Sequence, residues 1–163
     1  MKVTSTAAIL TLFWFILTPI ALAAQGPGSG EVCLKIDRLI DEMLGLQISQ
    51  CSLNLSKRAG KYSFFVVAKK SVLDDPSDRR VWLLAIVGVV GRAMTETADF
   101  PELKGVDIDE VLTFDAGFVK QRRVLVLPAP VTKRIRNDLL RGIIDVDRAY
   151  DQINAALSSR RLD

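Results

Sequence analysis

The groups in this 163-residue chain that could do chemistry are carboxylates and basic side chains, because the chain contains no histidine. Histidine is the commonest general base and metal-binding side chain, so its absence excludes Ser-His and Cys-His nucleophilic pairs and most zinc sites. A serine with a lysine base would remain possible, but the sequence has no Ser-x-x-Lys pattern, nucleophile elbow or glycine-rich phosphate loop. The sequence therefore nominates no catalytic residue, no metal site and no cofactor.

An acidic stretch runs from Glu96 to Asp115, where seven carboxylates against one lysine give a charge of 1 − 7 = −6. Converging carboxylates could bind Ca²⁺ or hydrolyse a glycosidic bond, but the stretch lacks the glycine turn and regular ligand spacing of an EF-hand. We expect a solvated acidic loop, whose cluster comprises Asp107, Asp109, Glu110 and Asp115. A carboxylate-based or serine-lysine hydrolase of the cell envelope is the enzymatic alternative.

A basic stretch follows from Lys120 to Arg141, with a charge of 7 − 1 = +6. In one interpretation the two stretches pair across neighbouring strands, and each pair fixes the strand register. The candidates are then Asp107, Asp109 and Asp115 on one side, with Lys120, Arg122 and Arg123 on the other. In the other interpretation a basic helix binds an acidic protein or anionic lipid. Its binding residues would be Lys133, Arg134, Arg136 and Arg141. Nucleic acid is disfavoured as a partner because the net charge is only +3.

The first two dozen residues have the pattern of a Sec signal peptide. Lys2 gives a positive start, residues 7–17 are apolar, and the small residues of a cleavage site stand at 21–23. A retained signal anchor is the alternative, because the uncharged stretch at 7–24 has eighteen residues, near the lower limit for a membrane span. We predict cleavage after Ala23 and a periplasmic or secreted bacterial protein.

Cys33 and Cys51 would both lie in the exported chain, where an even cysteine count favours a disulfide. A bridge that closes a loop of this length stabilises a fold by about 3 kcal/mol in the chain-entropy model. Two free buried thiols are the alternative. The spacing of the pair excludes a CxxC redox motif, and the absence of further ligands excludes a zinc site.

The remaining chain predicts one α+β domain over residues 31–158, with a flexible leader at 24–30 before it and a C-terminal tail at 159–163. Apolar residues at helical spacing predict a helix over 31–45, alternation predicts a strand at 50–56, and a run of β-branched and aromatic residues predicts the second strand of a hairpin at 62–68. Asp75 followed by Pro76 predicts a helix that runs to about Thr97. A buried strand is the alternative for its uncharged part, and we expect Gly88 and Gly91 to allow close approach of another backbone.

Two further strands are predicted at 111–114 and 123–127, around a loop that contains Gly117. Thr132 is predicted to cap a helix that ends at Gly142, and Asp145 to cap the last helix. The order helix-hairpin-helix-hairpin-helix-helix predicts a four-stranded, mainly antiparallel sheet covered by helices on one side.

For function, the sequence favours an exported, non-catalytic binding or accessory protein of the bacterial envelope that acts through protein-protein contacts. That expectation depends on the signal peptide, the missing catalytic groups and the separation of charge along the chain. Besides the hydrolase, the alternative is a peripheral membrane protein that uses the basic helix.

Overall fold

The computed structural model describes Gly26, residues 28–55 and residues 60–161. The elements in chain order are α1 (Ser29–Leu44), β1 (Ile48–Leu55), β2 (Tyr62–Ala68), α2 (Pro76–Thr95), a 3₁₀ turn (Pro101–Leu103), β3 (Ile108–Phe114), α3 (Ala116–Lys120), β4 (Arg123–Pro128), α4 (Ala129–Leu140), α5 (Val146–Ala156) and β5 (Ser158–Arg161). The class is the α+β fold that the sequence predicts. The predicted signal peptide lies outside the described residues.

The five strands form one mixed sheet in the order β1-β2-β3-β4-β5. All neighbours are antiparallel except β2 and β3, which are parallel. The sheet is mainly antiparallel, as predicted, but it differs from the predicted four-stranded sheet of two hairpins in two details. First, α2 carries the chain back to the end of the sheet at which β2 begins, so the next strand, β3, runs parallel to β2. Second, most of the predicted C-terminal tail forms the edge strand β5.

Helix α2 starts where the sequence predicts. The Asp75 side chain accepts hydrogen bonds from the backbone N–H groups of Ser77 (2.8 Å) and Asp78 (3.1 Å), which caps the first turn. The uncharged segment at 81–91 is helical, so the alternative of a buried strand was wrong. Its Trp82 is fully buried and donates its indole N–H to Thr113 Oγ1 at 2.8 Å.

Part of the expected leader belongs to the folded domain. The Gly26 N–H donates to the carbonyl of Leu53 at 2.7 Å, and Leu53 N–H donates to Ser29 Oγ at 3.0 Å. Gly28 has φ 67°, and a Cβ built there would lie 2.5 Å from Cβ of Glu102, so only glycine fits. Gly26 therefore docks this part of the leader on β1, and Gly28 packs beside Glu102 at the start of α1.

The predicted disulfide between Cys33 and Cys51 is confirmed, with a Cα–Cα distance of 5.5 Å. It joins α1 to β1 and closes a loop with a sequence separation of 18. A disulfide is compatible with an oxidising compartment.

Helix α4 begins earlier than predicted, directly after β4, with Pro130 in its first turn. Thr132 is not its cap; its hydroxyl donates to the carbonyl of Pro128 at 3.1 Å inside that turn. The predicted cap of the last helix is confirmed, because Asp145 accepts a hydrogen bond from the Arg148 N–H at 2.8 Å.

The main core lies between one face of the sheet and a layer formed by α1, α2, α4 and α5. Each of these helices contributes a fully buried residue to it: Ile36, Trp82, Ile135 and Ile153. Among the described residues, no helix combines the length and apolar composition that a membrane span needs.

Candidate functional site

The structure does not bring the predicted acidic cluster together. Asp107 precedes β3, with its carboxylate 3.3 Å from Lys61 Nζ. Asp109 and Glu110 are consecutive in β3 and therefore point to opposite faces of the sheet. Asp115 follows the strand and is fully buried. The geometry thus gives no support to a hydrolase that needs two of these carboxylates at one substrate.

Asp115 serves the fold. Its Oδ2 accepts hydrogen bonds from Val72 N–H and Leu73 N–H, both at 2.6 Å. Its Oδ1 accepts from Gly117 N–H at 2.9 Å and Phe118 N–H at 3.1 Å. One buried carboxylate therefore ties the loop before α2 to the start of α3, and its charge is satisfied by four donors.

Glu110 joins three strands across the sheet face that lies opposite the helix layer. Its Oε1 accepts a hydrogen bond from Ser63 Oγ of β2 at 3.0 Å, and its Oε2 accepts from Arg160 Nη2 of β5 at 2.7 Å. The second contact reaches across β4, so it fixes the edge strand that the sequence analysis missed.

The basic helix is only partly available for binding. Arg136 is buried against α2, where it donates to Thr95 Oγ1 at 2.9 Å and pairs with Glu96. Its stem lies over Gly91, where an added Cβ would come within 2.9 Å of Arg136 Cδ, whereas a Cβ added at Gly88 would meet no other part of the described chain within 4 Å. We predicted that Gly88 and Gly91 allow another backbone to approach closely. At Gly91 there is a close approach, but it is made by a side chain, and at Gly88 the prediction was wrong. Arg134 and Arg141 are exposed and Lys133 is half-buried.

The predicted pairing between the acidic and basic stretches was wrong for Asp107, which pairs with Lys61, and for Asp115, which binds backbone N–H groups. The contact between Glu96 and Arg136 does join the two stretches, but between helices and not between strands.

Surface ion pairs neutralise the first part of the acidic stretch. Arg92 donates to Asp99 and Glu96, and the hydrogen bond from Arg92 lowers the pKa of Asp99, while the same contacts raise the pKa of Arg92. Lys35 Nζ lies 2.8 Å from Glu102 Oε1 and lowers the pKa of Glu102. Because both partners of the Arg92 pairs are open to solvent, each of these pairs contributes little to stability. Glu102 is more enclosed, with its side chain 14% exposed.

Two adjoining cavities, of about 540 and 200 Å³, lie near the end of α1 and the start of β1. They share Gln47 and Lys69, whose side chains are hydrogen-bonded to each other at 2.8 Å. The residues lining both cavities include no serine, threonine or cysteine, so they offer no hydroxyl or thiol nucleophile. Within the described part of the chain, no group of three or more Cys, Asp or Glu side chains could hold a metal ion.

The sheet is apolar on the face opposite the helix layer as well. The apolar side chains there alternate along the three central strands: Phe65 and Val67 of β2, Leu112 and Phe114 of β3, and Val124 and Val126 of β4. Five of them are between 2 and 8% exposed, and Phe65 is half-buried. Among the described residues outside the strands, Phe118 of α3 packs against this group. We call this surface the second face.

The signal for the second face was present in the sequence. Residues 64–67 (FFVV) and 124–127 (VLVL) are continuous apolar runs, which are typical of strands buried on both sides. These runs predict strands, and their apolar character on both sides also implies a second apolar face of the sheet.

Comparisons with protein-family models, with curated proteins and with solved structures found no match to this chain.

Proposed function

We propose that this chain is an exported, non-catalytic binding or accessory protein of the bacterial cell envelope, and that it acts through protein-protein contacts. The observation that carries the proposal is the half-buried ring of Phe65 on the apolar second face. An antiparallel or mixed sheet with one helix layer commonly carries polar residues on its other side, whereas strands that are apolar on both sides belong between two layers. The described residues supply one full layer and only the short α3 on the other side. Because five of the six strand residues of the second face are at most 8% exposed, the part of it open to a partner is Phe65 with the polar side chains around it.

The surroundings of the second face have the composition of an interface rim. Register places Ser52 and Asn54 of β1 beside Phe65 and Ser63 of β2, so polar side chains border the apolar centre on that side. Of these, Asn54 is half-buried and can meet a partner, whereas Ser52 and Ser63 are buried. The contact between Glu110 and Arg160 borders it on the other side. An apolar centre with a polar, hydrogen-bonding rim is the usual anatomy of a protein-protein interface. A partner would meet Phe65, the half-buried ring at this centre, together with the rim.

Two further observations support the proposal. The disulfide is compatible with the oxidising compartment to which the predicted signal peptide would direct the chain. Glu110, Asp115 and Arg136, which the sequence singles out for chemistry or binding, are engaged in holding strands and helices together.

A photo-crosslinking amino acid in place of Phe65 tests the proposal, because its aromatic ring can keep the native packing. The matched control carries the same amino acid in place of Val81, an exposed residue on α2 in the helix layer. After irradiation in intact cells, we expect the Phe65 variant to form a discrete protein adduct that the Val81 variant does not form.

An adduct with twice the mass of the chain would identify a second copy as the partner. No adduct at Phe65, or the same set of adducts from both variants, would contradict a role for the second face in protein binding.

A further inference from the structure

The two adjoining cavities near the end of α1 differ in the character of their walls. The larger one, of about 540 Å³, is lined mainly by polar and charged residues. The smaller one, of about 200 Å³, is more enclosed, and its lining includes the apolar residues Leu46, Ala68 and Val72. The larger cavity alone is within the size range of small-molecule sites, roughly 300–1,000 Å³. Together the cavities offer a charged entrance beside an apolar recess.

One wall of the larger cavity is a side of α1. Spacings of three and four residues place on that side Leu34, Asp37, Arg38 and Asp41. Asp37 Oδ1 accepts a hydrogen bond from the Ile48 N–H of β1 at 3.3 Å. The disulfide between Cys33 and Cys51 joins the same helix and strand, one helical turn before Asp37. The wall is therefore fixed against β1 before any ligand binds.

Basic side chains come from the end of β2 and the loop after it. Lys69 lines both cavities and Lys70 lines the smaller one. The Lys69 N–H donates to the carbonyl of Gln47 at 2.9 Å, and Lys69 Nζ donates to Gln47 Oε1 at 2.8 Å. These two contacts hold Lys69 across the cavities from α1.

The charged residues of the two cavities do not pair with one another. The salt bridges of the described chain all join residues outside these linings. The linings contain both signs in nearly equal number, with a charge of 3 − 2 = +1: Arg38, Lys69 and Lys70 against Asp37 and Asp41. The other charged residues of α1, Glu31, Lys35 and Glu42, are spaced four and seven residues apart and lie on another side of the helix. Free acidic and basic groups therefore face one space.

We propose that the two cavities bind a short peptide that has a free amino group, a free carboxylate and an apolar side chain. Asp37 and Asp41 accept hydrogen bonds from the ammonium group, and Lys69 and Lys70 bind the carboxylate. The apolar side chain enters the smaller cavity. A peptide is favoured over a simple cation or anion because the lining presents both signs nearly in balance, and over a wholly apolar ligand because the larger cavity is charged.

The proposal goes beyond the proposed function and uses no residue of the second face. The probe is tri-leucine, added to the exported chain purified after its natural processing and without reduction. Calorimetric titration measures the dissociation constant, which we expect to be below about 1 mM. Amide NMR spectra locate the site, and we expect the shift changes at residues 45–48 and 68–70.

Two altered peptides separate the contributions of charge and apolar contact. N-acetyl tri-leucine amide lacks both charges and should bind at least about tenfold more weakly. Tri-alanine keeps both charges but lacks the large side chains, so it should also bind at least about tenfold more weakly.

Two variants then assign each end of the peptide. D37N/D41N should weaken binding of tri-leucine at least about fivefold and leave binding of N-acetyl tri-leucine unchanged. K69Q/K70Q should weaken binding of tri-leucine by a similar factor and leave binding of tri-leucine amide unchanged. The matched control is E31Q/E42Q, which removes two exposed carboxylates from another side of α1 and should bind like the wild type.

A lack of binding at millimolar tri-leucine would overturn the proposal. Equal affinity for tri-leucine and its doubly blocked form, or equal loss in the control and in the cavity variants, would contradict it as well. Shift changes confined to other parts of the chain would place the peptide elsewhere and would also overturn it. None of these results would affect the crosslinking test at Phe65.

Discussion

Replacing Asp115 by alanine should destabilise this protein far more than replacing another aspartate that caps a helix. Asp115 is fully buried and accepts four backbone hydrogen bonds, which come from two separate segments of the chain. Asp75 is exposed and accepts two, both from the helix that it caps. The two residues therefore share a chemical role and differ in burial and in the number of donors they satisfy.

The magnitudes follow from this difference. Losing an exposed cap costs about 1 kcal/mol of unfolding free energy, because water replaces the lost acceptor. Each buried donor left without an acceptor costs about 1–3 kcal/mol. Water that enters the site and accepts from some of these donors reduces the total cost. We therefore expect D115A to lose about 4 kcal/mol and D75A about 1 kcal/mol, from a total stability that for small domains is about 5–15 kcal/mol.

Urea unfolding at neutral pH, followed by the fluorescence of the buried Trp82 under non-reducing conditions, measures both losses. D115N keeps the size of the side chain and one acceptor oxygen, so it should lose about 2 kcal/mol and stays measurable if D115A does not fold. Equal losses for D115A and D75A would refute the argument that burial and the two-segment contact make Asp115 special.

Three further results are expected. G91A should lose about 1 kcal/mol because its Cβ would meet the hydrogen-bonded stem of Arg136 at 2.9 Å, whereas G88A, with open space around it, should gain about 0.5 kcal/mol of helix propensity in the same unfolding assay. C33S/C51S should lose about 3 kcal/mol relative to the oxidised protein, and wild type unfolded with reductant should show a similar loss. Asp99 and Glu102, whose pKa values are lowered, contribute stability above the pKa of an unfolded carboxyl group, about 4. This contribution is lost as the pH falls through their lower folded pKa values. Urea unfolding between neutral and acidic pH should show the loss, and the loss should be smaller at high salt.

Local signals in the sequence located most helices and strands. The cap at Asp75 with Pro76 placed the start of α2, and the alternation around Cys51 placed β1. These signals are reliable because they depend on backbone hydrogen bonds and side-chain periodicity over a few residues. The disulfide could also be predicted, since only one pairing of two cysteines exists.

Long-range pairing was harder to predict. The parallel contact between β2 and β3 depends on which way α2 crosses the sheet, and the sequence analysis treated each half as a hairpin. The strand β5 contains only Ser and Arg, whose β-propensity is weak, and it is held by pairing with β4 and by the contact of Arg160 with Glu110. Neither the parallel pairing of β2 with β3 nor the contacts of β5 can be predicted from a short stretch of sequence.

The same limit applied to the candidate sites. A run of charges shows which residues are basic but not which are buried, so Arg136 could not be distinguished from Arg134 before the packing of α4 on α2 was known. Asp115 resembled its acidic neighbours in the sequence, although its four hydrogen bonds give it a structural role. The apolar second face could have been predicted from the runs in β2 and β4.

The most direct test of a protein-binding role in the envelope is native mass spectrometry of the protein taken, without reduction, from its own envelope fraction. We expect a complex heavier than one chain, which on denaturation releases a chain that begins at Ala24 and is two hydrogens lighter than its reduced form. A bare monomer under native conditions would contradict the proposed function, and a chain that still carries residues 1–23 would contradict the predicted cleavage.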